Sequence, residues 1–204
     1  MVTAKVVIVF YSRNGNTEKL AEAIAEGARE EGAEIVLRRV NELVSEEIIA
    51  HVPGWKENKE RMAAKYEAPT QDDLVSADAV LFGTPTRFGN VSSELKAFID
   101  SLGGLWVKGA LNGKAGGIFV STSTLHGGTE STILSAYNFL AHLGFIIVPT
   151  GYTDPALFAG GTPYGASSVS GGSSSQDPTE SDIAVARVQG RRTAQVARAL
   201  KQAK

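Results

Sequence analysis

Five short apolar runs, most of them rich in β-branched residues, recur along this chain, and polar turns and helical spacing separate them. They fall at residues 6–10, 34–40, 79–82, 116–120 and 145–148. Residues 6–10 read Val-Val-Ile-Val-Phe without one polar position, as a strand buried on both faces requires. A helical stripe follows at Leu20, Ala21, Ile24, Ala25 and Ala28, and Gly32 ends it. A second helix is expected from a Ser92 or Ser93 cap through Leu95, Phe98 and Ile99, with Gly103-Gly104 as its stop. A third spans 129–143 with Ile133, Leu134, Tyr137 and Leu140 inward. The last spans 179–201, capped by Thr179 and Asp182, with Ile183, Ala186, Gly190, Ala194 and Ala197 on one face. Strands alternating with helices in this way predict an α/β fold: a five-stranded, doubly wound parallel sheet with helices on both faces and right-handed crossovers.

The 204 residues suit one domain, since a single core serves up to ~250 residues. Two stretches exceed what simple connections need. One is the polar segment 44–71; the other is the Gly-, Ser- and Thr-rich segment 150–176. Both are expected as insertions in one domain covering 1–204. Ordering the second costs backbone entropy, so it is expected to pack against a neighbouring subunit beside the ligand.

A net charge of −2, from 20 basic and 22 acidic residues, leaves no footprint for nucleic acid and no polybasic membrane patch. No cysteine is present, which rules out thiolate metal sites, iron–sulfur clusters and thiol catalysis. With three histidines (His51, His126, His142), no metal is expected. No apolar run approaches the ~18 residues of a membrane span, and the N-terminal run is too short for a signal peptide, so a cytoplasmic protein is expected.

In parallel sheets of this kind, ligands bind beyond the carboxyl ends of the strands. Three polar loops lie there. Ser12, Arg13, Asn14, Gly15, Asn16 and Thr17 open directly onto a helix, whose free amides and dipole favour an anion. Thr86, Arg87, Phe88, Gly89 and Asn90 follow the third strand. Ser121, Thr122, Ser123, Thr124, Leu125, His126 and Gly127 follow the fourth. Spacing tests the nucleotide alternatives. The nearest P-loop lookalike, at 109–114, has one residue too few and then Ala115, and no Gly-x-Gly-x-x-Gly occurs. A mononucleotide held by hydroxyls and backbone fits better, and FMN is the cofactor to expect.

The runs Tyr11-Ser12-Arg13-Asn14-Gly15-Asn16-Thr17, Gly83-Thr84-Pro85-Thr86-Arg87-Phe88-Gly89-Asn90, Gly103-Gly104-Leu105-Trp106 and Gly160-Gly161-Thr162-Pro163-Tyr164-Gly165 resemble the WrbA family of flavodoxin-like NAD(P)H:quinone oxidoreductases. The resemblance covers essentially the whole chain, both insertions included. It implies a flavodoxin-like fold, FMN, homotetramers and two-electron reduction of quinones. It also implies that residues 12–17 hold the phosphate, that Thr86, Arg87, Phe88 and Gly89 flank the isoalloxazine, and that residues 121–127 wrap its other side. His142 would stand near the flavin's open face as a cofactor-binding and catalytic residue, and Trp106 would form a wall of the substrate pocket. Asn14 occupies the position where family members can contact the nicotinamide nucleotide. His51, Trp55 and Tyr66, in the first insertion, are assigned no chemistry.

Three other functions share these features: a flavodoxin-type electron carrier, an FMN-dependent azo or nitro reductase, and a non-enzymatic interaction protein. The loop 121–128 carries no aromatic to cover the ring. That leaves one flavin face open for a hydride donor and predicts a ping-pong cycle in which NAD(P)H and the quinone use the same face in turn.

Overall fold

The structure, a computed structural model, describes residues 2–173 and 176–203; Ser174 and Ser175 of the second expected insertion lie outside the described residues. The first strand, β1 (Lys5–Phe10), leads into α1 (Asn16–Glu30) and then β2 (Glu34–Arg39). Three short helices follow: α2 (Glu46–Ala50), α3 (Trp55–Lys65) and α4 (Gln71–Ser76). Next come β3 (Ala79–Pro85), α5 (Ser93–Asp100), α6 (Gly103–Val107), β4 (Ala115–Thr122), α7 (Thr129–His142) and β5 (Ile146–Ile147). A single 3₁₀ turn (Pro155–Phe158), β6 (Ser167–Val169) and α8 (Glu180–Gln202) complete the chain.

The sheet is parallel, in the order β2-β1-β3-β4-β5. Residues along β1 alternate between two cores. Val6, Ile8 and Phe10 face α1, α3 and α8, while Val7, Val9 and Tyr11 face α4, α5 and α7. Both sides are therefore dry, which is why residues 6–10 of the strand carry no polar side chain. On the first side, α1 and α8 approach closely through paired glycines. A Cβ on Gly190 would lie 2.0 Å from the Ile24 carbonyl oxygen, and one on Gly27 would lie 2.1 Å from that of Arg187. Only hydrogen at these positions allows the two backbones to touch.

The structure corrects several expectations. The sheet position beside β4 is shared by two segments: β5 pairs with Ala115 and Gly116, and β6 pairs with Val120, Ser121 and Thr122. Part of the second insertion thus orders against its own chain. The Thr150 hydroxyl donates to Thr162 O, the Gly151 amide donates to Pro163 O, and the buried Gln189 amide bridges Ala166 N and Ile118 O. Gly103-Gly104 start a new helix instead of ending α5, which closes at Ser101. Leu134 points outward at 44% exposure, since the apolar stripe of α7 runs through Ile133, Ala136 and Leu140. The capping box at Thr179 and Asp182 forms as expected.

Candidate functional site

At the carboxyl edge of the sheet, the ends of β1, β3, β4 and β6 border an open cleft of about 120 Å³. Its lining has two arginines, Arg13 and Arg87, and no carboxylate; hydroxyls and amides supply most of the remainder.

The turn after β1 forms its floor. Ser12 is buried and its hydroxyl accepts from the Gly15 amide at 3.1 Å. Gly15 caps α1 at φ +99° with no side chain to offer the first helical turn. The opening amides of α1 consequently have no partner within the helix, and the dipole makes that end attractive to an anion. Arg13 lines the cleft, and its Nε is buried with no hydrogen-bond partner among the described residues. A buried donor without a partner, on a residue that lines the same cleft as the opening turn of α1, suits a phosphate oxygen. The residues present therefore fit the phosphoryl end of FMN.

Hydroxyl pairs tie the walls to this floor. Thr17 Oγ1 and Ser121 Oγ lie 2.8 Å apart, joining the start of α1 to the end of β4. Thr86 Oγ1 lies 2.7 Å from Thr132 Oγ1, and the Thr86 amide donates to Ser121 O at 2.8 Å. Arg87 and Asn90 exchange amide–carbonyl bonds of 2.8 and 3.0 Å around Phe88 (φ +53°) and Gly89 (φ +76°). Positive φ at both central positions is the geometry of a type I′ turn, which glycine takes freely and phenylalanine takes under strain. Phe88 nevertheless projects wholly into solvent at 103% exposure.

The cleft brings together Ser12, Arg13, Asn14, Asn16, Thr17, Thr86, Arg87, Ser121, Thr122 and Ser123 of the expected set. Gly15 shapes the floor without lining it. Phe88 and Gly89 form the adjoining turn, and Thr124, Leu125, His126 and Gly127 form a mostly exposed loop beyond the rim, with Leu125 at 73% exposure. Two expected residues are not brought in. His142 ends α7, thirteen residues from its start near the cleft, or about 20 Å along the axis. It lines a separate groove with Lys96 and Phe139. Trp106, 57% exposed on α6, also lies at the far edge of the sheet, beyond the end of α5. Within one chain neither reaches the cleft, because α5 and α7 run antiparallel to the strands and carry their last residues away from it.

Two contributions were missed in the sequence. Ser170, just past β6, lines the cleft, and its hydroxyl donates to Thr122 O at 3.1 Å. Trp55, on α3 of the first insertion, carries the Arg13 guanidinium 3.9 Å over its ring. Beneath the cleft lies a buried polar cluster. The Glu42 carboxylate accepts from the Tyr11 hydroxyl at 2.9 Å and from Trp55 Nε1 at 3.0 Å, while Arg39 Nη2 donates to Ser12 O at 3.3 Å. Burial raises the Tyr11 phenol, with Glu94 and Glu42 adding to the shift, and burial lowers the Arg39 guanidinium. His51 and Tyr66 hold structure: His51 Nδ1 contacts Glu47 O, and Tyr66 donates to Glu18 and Glu22.

Among the described residues no group of histidines and carboxylates is arranged to hold a metal ion, and no helix is long and apolar enough to cross a membrane. Residues 4–154 match the family described as NADPH-dependent FMN reductase. A protein of Geobacter sulfurreducens named NAD(P)H dehydrogenase (quinone) is 48% identical over 198 residues, covering 94% of this chain and 97% of its own. One of the same name from Syntrophobacter fumaroxidans is 48% identical over 202 residues, covering 96% and 98%. The crystal structure of a WrbA-like flavodoxin from Agrobacterium tumefaciens superposes with a TM-score of 0.69 at 26% identity, covering 97% of this chain and 99% of that one. With the fold, the phosphate-ready cleft and these relatives in agreement, the chain belongs to the FMN reductase family and, within it, to the WrbA-type flavodoxin-like quinone oxidoreductases.

Proposed function

We propose that this protein is an FMN-dependent NAD(P)H:quinone oxidoreductase that reduces quinones to quinols by two electrons. The unpartnered Arg13 Nε at the open end of α1, in a cleft with no lining carboxylate, carries this reading. Arg13, the hydroxyls of Ser12 and Thr17, and the amides following Gly15 would hold the phosphate. Thr86, Arg87, Phe88 and Gly89 would flank the ring on one side, and residues 121–127 on the other. FMN held by these residues would supply the two-electron chemistry, hydride uptake from NAD(P)H and electron delivery to the quinone. The chain's own residues orient the partners. Arg87 offers positive charge where negative charge develops, Asn14 at the exposed rim contacts the nicotinamide nucleotide, and the threonine and serine hydroxyls replace water around the polar edge.

His142 and Trp106 fit this chemistry only from a neighbouring copy, since one chain separates them from its own cleft. We propose a homotetramer in which these residues complete an adjacent pocket, Trp106 as its wall and His142 as a hydrogen-bonding group on its open side. The exposure of Trp106, Val107 and Phe88 supports an assembly that covers them. The whole chain acts as one domain in this reading. The cytoplasm, where nicotinamide reductant is made, is the location we assign.

The purified protein should be yellow or take up FMN, bleach on anaerobic addition of NADH, and recover colour with benzoquinone. Double-reciprocal plots should be parallel, and benzoquinone should outrun an azo dye. A colourless protein that takes up no FMN overturns the reading; intersecting lines overturn the shared-face cycle.

A further inference from the structure

The first insertion reaches the phosphate end of the cleft through Arg61, which donates to Glu18 in the first turn of α1, and through Trp55, whose ring lies beneath Arg13. Trp55 begins α3 and is 6% exposed. Its ring is held in place because Nε1 donates at 3.0 Å to the Glu42 carboxylate, which the Tyr11 hydroxyl also engages at 2.9 Å. Arg39 contributes to the same anchor through an ion pair of 3.6 Å with Glu42. Glu42 is thus already committed to Trp55, Tyr11 and Arg39. The ring face holds the Arg13 guanidinium, while Arg13 Nε meets no acceptor among the described residues.

A free arginine side chain samples many rotamers, and ordering it on a ligand costs affinity. An aromatic face beneath the guanidinium reduces that cost by restricting the side chain before the ligand arrives. The stack leaves Arg13's charge intact and available to a dianion, whereas a carboxylate partner would have neutralised it. An anionic ligand gains from this arrangement, and FMN carries that charge where riboflavin does not.

We propose that Trp55 is a positioning residue that sets the cleft's preference for FMN over its dephosphorylated form, riboflavin, by holding Arg13 ready for the phosphate. The proposal rests on the reading that FMN occupies this cleft. Its geometry also gives the first insertion a role: it supplies the platform on which the phosphate-binding arginine stands.

The test is a pair of flavin titrations, FMN and riboflavin, followed by quenching of flavin fluorescence on wild type, Trp55→Leu, Trp55→Phe and Arg13→Gln. Trp55→Leu should weaken FMN about tenfold, equivalent to ~1.4 kcal/mol, and change riboflavin less than twofold. The FMN affinity of Trp55→Leu should also fall less steeply with added salt. Trp55→Phe, which keeps a ring face, should recover most of the loss. In an Arg13→Gln background, Trp55→Leu should have no further effect on FMN. Equal weakening of both flavins, or an unchanged FMN-to-riboflavin ratio, overturns the proposal by showing that Trp55 only packs the insertion. Wild type that binds FMN no better than riboflavin also overturns it. Wild type that takes up neither flavin removes the functional reading itself, a failure that the titrations separate from the others.

Discussion

Phe88 combines two costs without a compensating contact in the chain: a left-handed backbone at φ +53° and a side chain wholly in solvent. Glycine suits that conformation, so Phe88→Gly should raise unfolding stability by about 1 kcal/mol, as read from the urea midpoint at low protein concentration. The same substitution should raise KM for the quinone, because the ring is kept for contact with ligand. Unchanged KM with increased stability would show the ring to be idle. The sequence made the neighbouring hydroxyls legible, since polar residues crowding the carboxyl ends of apolar strands have few structural reasons to be there. Trp55 was not legible. Its partner Arg13 lies 42 positions away, and no local pattern reports a contact between an insertion and a loop.

Helices and buried strands announced themselves by period and by caps, as at Thr179 and Asp182. The strand β6 could not. Ser167, Ser168 and Val169 carry no apolar run, and their place in the sheet comes from β4 and from Gln189. Gln189 is 1% exposed and satisfies two backbone groups at once, accepting from Ala166 N at 3.0 Å and donating to Ile118 O at 2.8 Å. Gln189→Met keeps the bulk and loses both bonds. It should cost about 2–3 kcal/mol through the stranded amide and carbonyl. Hydrogen exchange should quicken at residues 166–170 before it does in β1. Because Ser170 lines the cleft from the end of this strand, FMN affinity should fall together with that protection. A variant that loses stability uniformly would detach β6 from the site.

Across the whole molecule, acid and alkaline limits follow from different groups. Burial alone would raise Asp73, but paired bonds of 3.0 Å from Arg38 and donation from Thr70 bring its carboxyl below the ordinary range. Asp78, bonded by Lys201 and the Lys5 amide, and Glu22, bonded by Lys65 and Tyr66, are lowered against the same burial. Depressed carboxyls contribute fully above the unfolded value of ~4 and lose that contribution as pH falls through their folded values. Stability should therefore decline from pH 5 toward pH 2, and Asp73→Asn should flatten the decline. On the alkaline side, burial raises the Tyr11 and Tyr66 phenols, so the unfolded chain releases those protons first and stability should be lost above about pH 10. Urea midpoints across the pH range check both limbs.

Arg13 lines the cleft, whereas His142 closes α7, about 20 Å along that helix from its cleft end. In the proposed tetramer, no working pocket needs both from one polypeptide. Two dead parents, Arg13→Gln and His142→Ala, should then complement each other: co-refolded, they should yield hybrid particles in which some clefts inherit an intact half from each, while the same proteins assayed separately stay silent.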